Sequence, residues 1–240
     1  MTETPAQPAP TDFLPVLATG RWFAALPQTM ADALVGMAQV RQLHSGEALF
    51  LRGGPPCGLY ALVRGAVRIS GTGGPRDAAR EALLTLIEPP MWFGEIAVFD
   101  GSVRTHDAHA AEPCTVLNLP QASVLVWLAA HPAHWRELAL LMADKLRIAF
   151  ITMEEQALLP APQRVARRLV LMAEGYGQWH AGDKSRRVLE VSQEQLAMML
   201  ALSRQTTNQI LKDLQTRKLV HVQRGAVEVL DLPGLRAASQ

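Results

Sequence analysis

Cysteine is nearly absent: the 240 residues contain only Cys57 and Cys114. A disulfide framework is excluded, and a reducing cytoplasm is the natural compartment. Both thiols read as small, buried, apolar residues. No run of about 18 apolar residues free of charge occurs, so no membrane span is expected. The first dozen residues, Met1 to Asp12, lack the basic start and apolar stretch of a secretory leader, and their Pro/Ala-rich polarity predicts a disordered lead over 1–18. No phosphate loop, nucleophile elbow or metal-ligand motif is found, which argues against an enzyme and leaves catalytic and metal-ligating residues unassigned. Net charge is also small, at +1.

That small net charge conceals an asymmetry. Residues 161–240 carry 12 Lys/Arg against 7 Asp/Glu, whereas residues 1–160 carry 11 against 15. A basic C-terminal third behind an acidic front suits a polyanionic partner of the C-terminal part. With 49% hydrophobic and 19% charged residues, the chain can bury one or two ordinary cores.

Three stretches differ in pattern. From Val40 to Leu119, short apolar runs such as Leu59–Val63, Ala82–Ile87 and Thr115–Leu119 alternate with glycine breaks at Gly46, Gly53-Gly54, Gly65 and Gly71–Gly74. Many short strands with frequent glycine turns predict an antiparallel β-roll over 19–130. His131-Pro132 then opens a long helix, predicted over 131–160. Its apolar residues Trp135, Ala139, Met142, Leu146, Ala149 and Met153 recur at a heptad spacing, flanked by Leu138, Leu141, Ile148 and Thr152. A stripe this broad serves two neighbours, the β-roll and a second copy of the chain. Pro160 and Pro162 end the helix, and the hinge to a C-terminal domain over 161–240 is placed at Pro160–Gln163.

In that last domain Ser192 and Gln195 have the spacing of a capping box, with Leu196, Met199 and Leu200 behind them. After a turn at Ala201-Leu202, Ser203 caps a second helix whose inner face is Ile210, Leu211 and Leu214. Its other face carries Arg204, Gln205, Thr207, Asn208, Gln209 and Lys212. Arg, Gln and Asn pair with base edges in the major groove. Leu219–Val222, Gln223-Arg224-Gly225 and Val227–Leu230 read as a hairpin wing. The candidate DNA-binding residues are these six together with Ser192 and Ser203. The fold class is therefore α+β: an N-terminal antiparallel β-roll, a long dimerisation helix and a C-terminal winged helix-turn-helix.

From about Phe23 to Leu232 the chain resembles the Crp–Fnr family of bacterial transcription regulators. Ser203–Leu211 is similar to that family's recognition helix, with Arg204 fitting the pattern. Family members usually have Glu and Arg where this chain has Gln205 and Gln209, which implies a different DNA half-site. Phe93-Gly94-Glu95-Ile96-Ala97 and Asp100–Thr105 look like the phosphate cassette of cyclic-nucleotide-binding domains. The resemblance implies Arg104 as the cation for a cyclic phosphodiester, Thr105 as a hydroxyl donor, Gly94 as a close backbone approach and Glu95 as acceptor for a ribose 2′-hydroxyl. Two departures matter. His106 and Asp107 follow Thr105, where cyclic-nucleotide binders more often have small or hydroxyl residues. On the long helix, Ala149-Phe150-Ile151 stands where cyclic-AMP binders place hydroxyls, leaving only Thr152 nearby.

The implied protein is a homodimer on double-stranded DNA with a two-fold symmetric site, gated by a cyclic nucleotide such as cyclic AMP and contacting RNA polymerase. An alternative keeps the architecture with a vestigial pocket or a non-nucleotide effector. Another is a nucleotide-binding module acting on a protein partner. A clustered-cysteine iron–sulfur sensor is excluded. The spaced pairs His106/His109 and His131/His134 read as surface or packing histidines rather than metal ligands.

Overall fold

The computed structural model describes residues 8–73, 80–177 and 187–240. These residues form two compact units, one of 1–69 with 86–143 and one of 70–85 with 144–240.

The first unit opens with helical turns rather than a disordered lead. A 3-10 turn over Pro10–Phe13 leads into α1 (Leu14–Leu17), α2 (Arg21–Ala24) and α3 (Gln28–Met37). The departure from expectation has an apolar cause: Leu17 is fully buried and joins the core with Trp22 and Phe23. Residues 1–7 lie outside the described set. The strands follow in the predicted stretch as β1 (Gln39–Leu43), β2 (Ala48–Phe50), β3 (Leu59–Arg64), β4 (Val67–Gly73), β5 (Arg80–Ile87) and β6 (Trp92–Phe93). After α4 (Ile96–Asp100) come β7 (Asp107–Ala110), β8 (Cys114–Leu119) and α5 (Gln121–Ala130). Two four-stranded sheets result, ordered β1-β8-β3-β6 and β2-β7-β4-β5.

The run Leu59–Val63 is unbroken rather than alternating because β3 is buried on both faces. Side chains of a strand alternate between faces. Leu59, Ala61 and Val63 join the core beneath the helices, with Phe23 stacked on Trp92 at 5.6 Å. Tyr60 and Leu62 join a second core with Leu43, Leu49, Val67, Phe93, Ala108 and Val116. Strands β4 and β5 both continue from this unit into the other, at residues 70 and 85.

The long helix α6 (Trp135–Leu158) follows a 3-10 turn over Pro132–His134. In the first unit its Leu138 and Leu141 are buried, and the Trp22 indole donates to the Glu137 carbonyl at 2.7 Å. Further along, Leu146, Phe150 and Met153 are 51%, 61% and 65% exposed. Their spacing of four and three places them on one helix face.

The second unit continues with α7 (Ala161–Ala173), β9 (Val188–Leu189), α8 (Gln193–Met199), α9 (Arg204–Thr216), β10 (Val220–Gln223), β11 (Ala226–Val229) and α10 (Leu232–Ala238). Pro162 lies in the first turn of α7, where a missing N–H costs nothing. Across the break after α6, Arg167 Nε meets Glu155 Oε1 at 2.6 Å. The sheet order β10-β11-β9 makes the wing. Within the same unit, buried Arg168 donates to the Leu84 carbonyl of β5 at 3.4 Å.

Candidate DNA-binding and ligand-binding sites

The helix-turn-helix is set by local chemistry. Ser192 Oγ accepts from the Gln195 N–H at 3.1 Å, and Gln195 Oε1 accepts from the Ser192 N–H at 2.8 Å. This reciprocal capping box satisfies donors that would otherwise be orphaned at the start of α8. The turn is made by Ala201 in the left-handed region, φ 51°. Arg164 of α7 steadies it by donating from Nη1 to the Leu200 carbonyl at 3.2 Å. Ser203 Oγ then accepts from the Thr206 N–H at 3.0 Å and starts α9.

Ile210, Leu211 and Leu214 are buried under α9, as their spacing predicts. Arg204, Gln205, Gln209 and Lys212 are exposed, and Asn208 is half-buried beside them. Ser192 and Ser203 serve as caps, with Ser203 exposed and Ser192 half-buried. Thr207 departs from the expected outer face. It is fully buried, and its hydroxyl donates to the Ser203 carbonyl at 3.1 Å. Its position four before Leu211 and three before Ile210 puts it on the inner row, where a Thr hydroxyl back-bonds one turn up. The wing is fastened to the same helix: Gln215 Oε1 accepts from the Val222 N–H at 2.8 Å. At its tip, Gln223, Arg224 and Gly225 are exposed, with Gly225 at φ 78°.

In the first unit the structure brings Gly94, Glu95, Arg104 and Thr105 to one cassette around α4. Gly94 has φ 94°, and a Cβ there would lie 2.8 Å from the Gly58 carbonyl oxygen and 3.1 Å from Arg104 Nη1. Only glycine lets the backbone come that close. Glu95 is 3% exposed at the start of α4. Arg104 is 4% exposed, a nearly fully buried cation. Its Nη1 donates to the Gly94 carbonyl at 3.0 Å, and its Nη2 to the Gly58 carbonyl at 2.6 Å. The Phe50 ring lies 4.4 Å from the guanidinium carbon, a cation–π contact.

Cys57 supplies the remaining partner. Its Sγ accepts from Arg104 Nε at 3.3 Å and Nη2 at 3.1 Å, and from the Tyr60 hydroxyl at 3.0 Å. Cys57 is thus half-buried and polar in use, not the apolar filler expected from its residue type. Burial and the neighbouring Cys57 hold the Tyr60 phenol protonated, its pKa pushed well above the usual range. Cys114 matches expectation: it is buried, and burial followed by Glu112 and Glu47 pushes its thiol up to about 11.

Thr105 is exposed and its hydroxyl lies 2.9 Å from His106 Nδ1. Burial, then the Arg52 charge, lowers the His106 pKa, with Asp107 opposing. Asp107, the acid that departs from the cassette pattern, accepts from the Arg52 N–H at 2.7 Å. Its charge is partly spent on that backbone donor. Thr152, half-buried on α6, belongs to the second unit. Among the described residues no group of three or more His, Cys, Asp or Glu could hold a metal ion. His131 and His134 instead stack on Trp127, at 4.5 and 5.0 Å. Among the same residues no helix is long and apolar enough to cross a membrane.

Sequence comparison matches residues 40–131 to the cyclic nucleotide-binding domain and residues 163–238 to the Crp-like helix-turn-helix domain. The chain is 27% identical over 216 residues to a CRP-like cAMP-activated global transcriptional regulator of Mycobacterium tuberculosis, covering 90% of this chain and 95% of the relative. It is 28% identical over 208 residues to the cyclic AMP receptor protein of Thermus thermophilus, covering 86% and 91%. Its fold is shared with FixK2 from Bradyrhizobium japonicum, at TM-score 0.72 and 19% identity over 85% of this chain and 98% of that one. The fold and the two matched domains define a DNA-binding transcription regulator, not an enzyme. The chain belongs to the Crp–Fnr family.

Proposed function

We propose that the chain is a cytoplasmic homodimer whose β-roll (19–130) binds a cyclic nucleotide such as cyclic AMP. The helix over 131–160 joins the two copies, and the domain over 161–240 reads a two-fold symmetric duplex. The observation that carries the ligand half is Arg104, a buried cation 3.0 Å from the Gly94 carbonyl in a domain matched to cyclic nucleotide binding. A phosphodiester needs such a fixed cation and short backbone approach, with the Thr105 hydroxyl at the rim and Glu95 for a ribose hydroxyl. The relatives named for cyclic AMP activation support the same ligand class.

The DNA half rests on the exposed row Arg204, Gln205, Gln209 and Lys212 with Asn208, presented by a capped helix. Arg prefers guanine and Gln prefers adenine, so Gln205 and Gln209 select a half-site of their own. Leu146, Phe150 and Met153 support the dimer, because an exposed apolar row on a long helix calls for a partner. Gating requires that the nucleotide bind two states of the chain with different affinity. The break at Pro160–Gln163, the Arg167–Glu155 pair and the β4–β5 strands shared by both units are the elements that carry it. RNA polymerase is the further partner that membership of the family suggests.

A second reading retains the DNA-binding role with a non-nucleotide effector. It is favoured by Ala149 and Phe150, which offer no hydroxyl to a purine. Calorimetric titration with cyclic AMP, cyclic GMP and cyclic di-GMP separates the two readings. Saturable binding lost in Arg104→Ala supports the nucleotide reading; no binding of any of the three overturns it.

A further inference from the structure

Arg104 has five N–H donors in a planar fork, and the edge formed by Nε and Nη2 is one of the two that can grip a phosphate with two hydrogen bonds. In this chain that edge is already occupied, with both nitrogens donating to Cys57 Sγ at 3.3 and 3.1 Å. The other contacts are to the Gly58 and Gly94 carbonyls, and the guanidinium face lies against Phe50. No described acceptor among these carries a full charge. A thiol sulfur is a weak acceptor, whereas an ionised phosphate oxygen makes hydrogen bonds about twice as strong as neutral ones. The Tyr60 hydroxyl also donates to the same sulfur at 3.0 Å, so the sulfur lone pairs face the fork and the phenol.

We propose that Cys57 is the resting acceptor of Arg104, a thiol cap on the fork that an incoming cyclic phosphodiester must displace. The inference rests on the nucleotide reading of Arg104 and adds to it a residue that sets affinity. A cap of this kind keeps a buried cation oriented without neutralising it. The ligand then exchanges a weak acceptor for a strong one, and its net affinity is lowered by the strength of the cap. A residue that merely shaped the pocket would act differently, since its loss would weaken binding.

The sign of the effect is therefore the test. Titration with cyclic AMP, cyclic GMP and cyclic di-GMP is run on the wild type, Cys57→Ala, Cys57→Asp and Arg104→Ala, with thermal melts confirming that each is folded. Removal of the cap in Cys57→Ala raises affinity about 10-fold, or ~1.4 kcal/mol. A permanent anion in Cys57→Asp neutralises the fork and lowers affinity by about 100-fold or more, ~2.8 kcal/mol. Equal or weaker binding by Cys57→Ala, with Arg104→Ala still inactive, overturns the cap and leaves the nucleotide reading intact. Undiminished binding by Arg104→Ala overturns both. Should the wild type bind none of the three, the nucleotide reading falls, and the cap that rests on it falls too.

Discussion

The exposed row on α6 offers a quantitative prediction. In the triple variant Leu146→Ala, Phe150→Ala and Met153→Ala, three side chains that are 51%, 61% and 65% exposed lose most of their apolar surface. Fully burying one such side chain contributes ~1.5–3 kcal/mol, so covering the exposed half of each contributes ~1 kcal/mol. Six side chains across a symmetric pair give ~6 kcal/mol, equivalent to roughly a 10⁴-fold weaker dimer at about 1.4 kcal/mol per decade. A dimer of nanomolar strength thereby becomes a monomer at micromolar concentration. Folding of one copy changes little, since surface substitutions cost within about 0.5 kcal/mol each. Sedimentation equilibrium reads the mass directly against the 26.2 kDa chain. A triple variant that stays dimeric at micromolar concentration, or a wild type that is monomeric there, refutes the assignment of this face.

Arg204→Ala removes the side chain proposed to read a base and is expected to cost ~1–3 kcal/mol of discrimination at one base-pair position, visible as relaxed preference in competition with singly substituted duplexes. Thr207→Val keeps the inner packing of α9 but deletes the hydroxyl bonded to the Ser203 carbonyl; a loss of ~1 kcal/mol in unfolding free energy is expected, with base preference unchanged. The lowered His106 pKa has a definite sign. The unfolded chain takes up this proton more readily, so His106 subtracts stability as pH falls below the ordinary histidine value of about 6.5 and nothing above it. His106→Asn therefore flattens the acid side of a melting-temperature profile between about pH 6.5 and 5, and an unchanged slope would show that the site does not disfavour the proton.

Legibility followed sequence distance. The capping box at Ser192 and Gln195 and the cap at Ser203 lie within three residues of the groups they satisfy, and both were readable. The strands were readable because apolar runs and glycine breaks are local signals; the double burial of β3 follows from its continuous run. The polarity of Thr207 suggests the outer face, but its spacing, one turn before Leu211, sets it on the buried row. The Cys57–Arg104 contact joins positions 47 apart, and no local pattern marks a thiol as an acceptor. The helical turns at Pro10–Leu17 were hidden by their Pro/Ala composition, since only packing shows that Leu17 belongs to the core. On α6 the heptad marked the right helix. Its division into buried Leu138 and Leu141 and exposed Leu146, Phe150 and Met153 needed the structure.

The proposed reader of a two-fold symmetric duplex is α9. Selection of bound fragments from a randomised duplex pool is run on the wild type and on a variant carrying Arg204→Ala and Gln209→Ala. Readout of a two-fold symmetric site by α9 should enrich an inverted repeat whose half-sites lie a whole number of helical turns apart, about 10–10.5 base pairs each, with the repeat lost in the variant. Enrichment of an asymmetric sequence, or the same inverted repeat from both proteins, would contradict it.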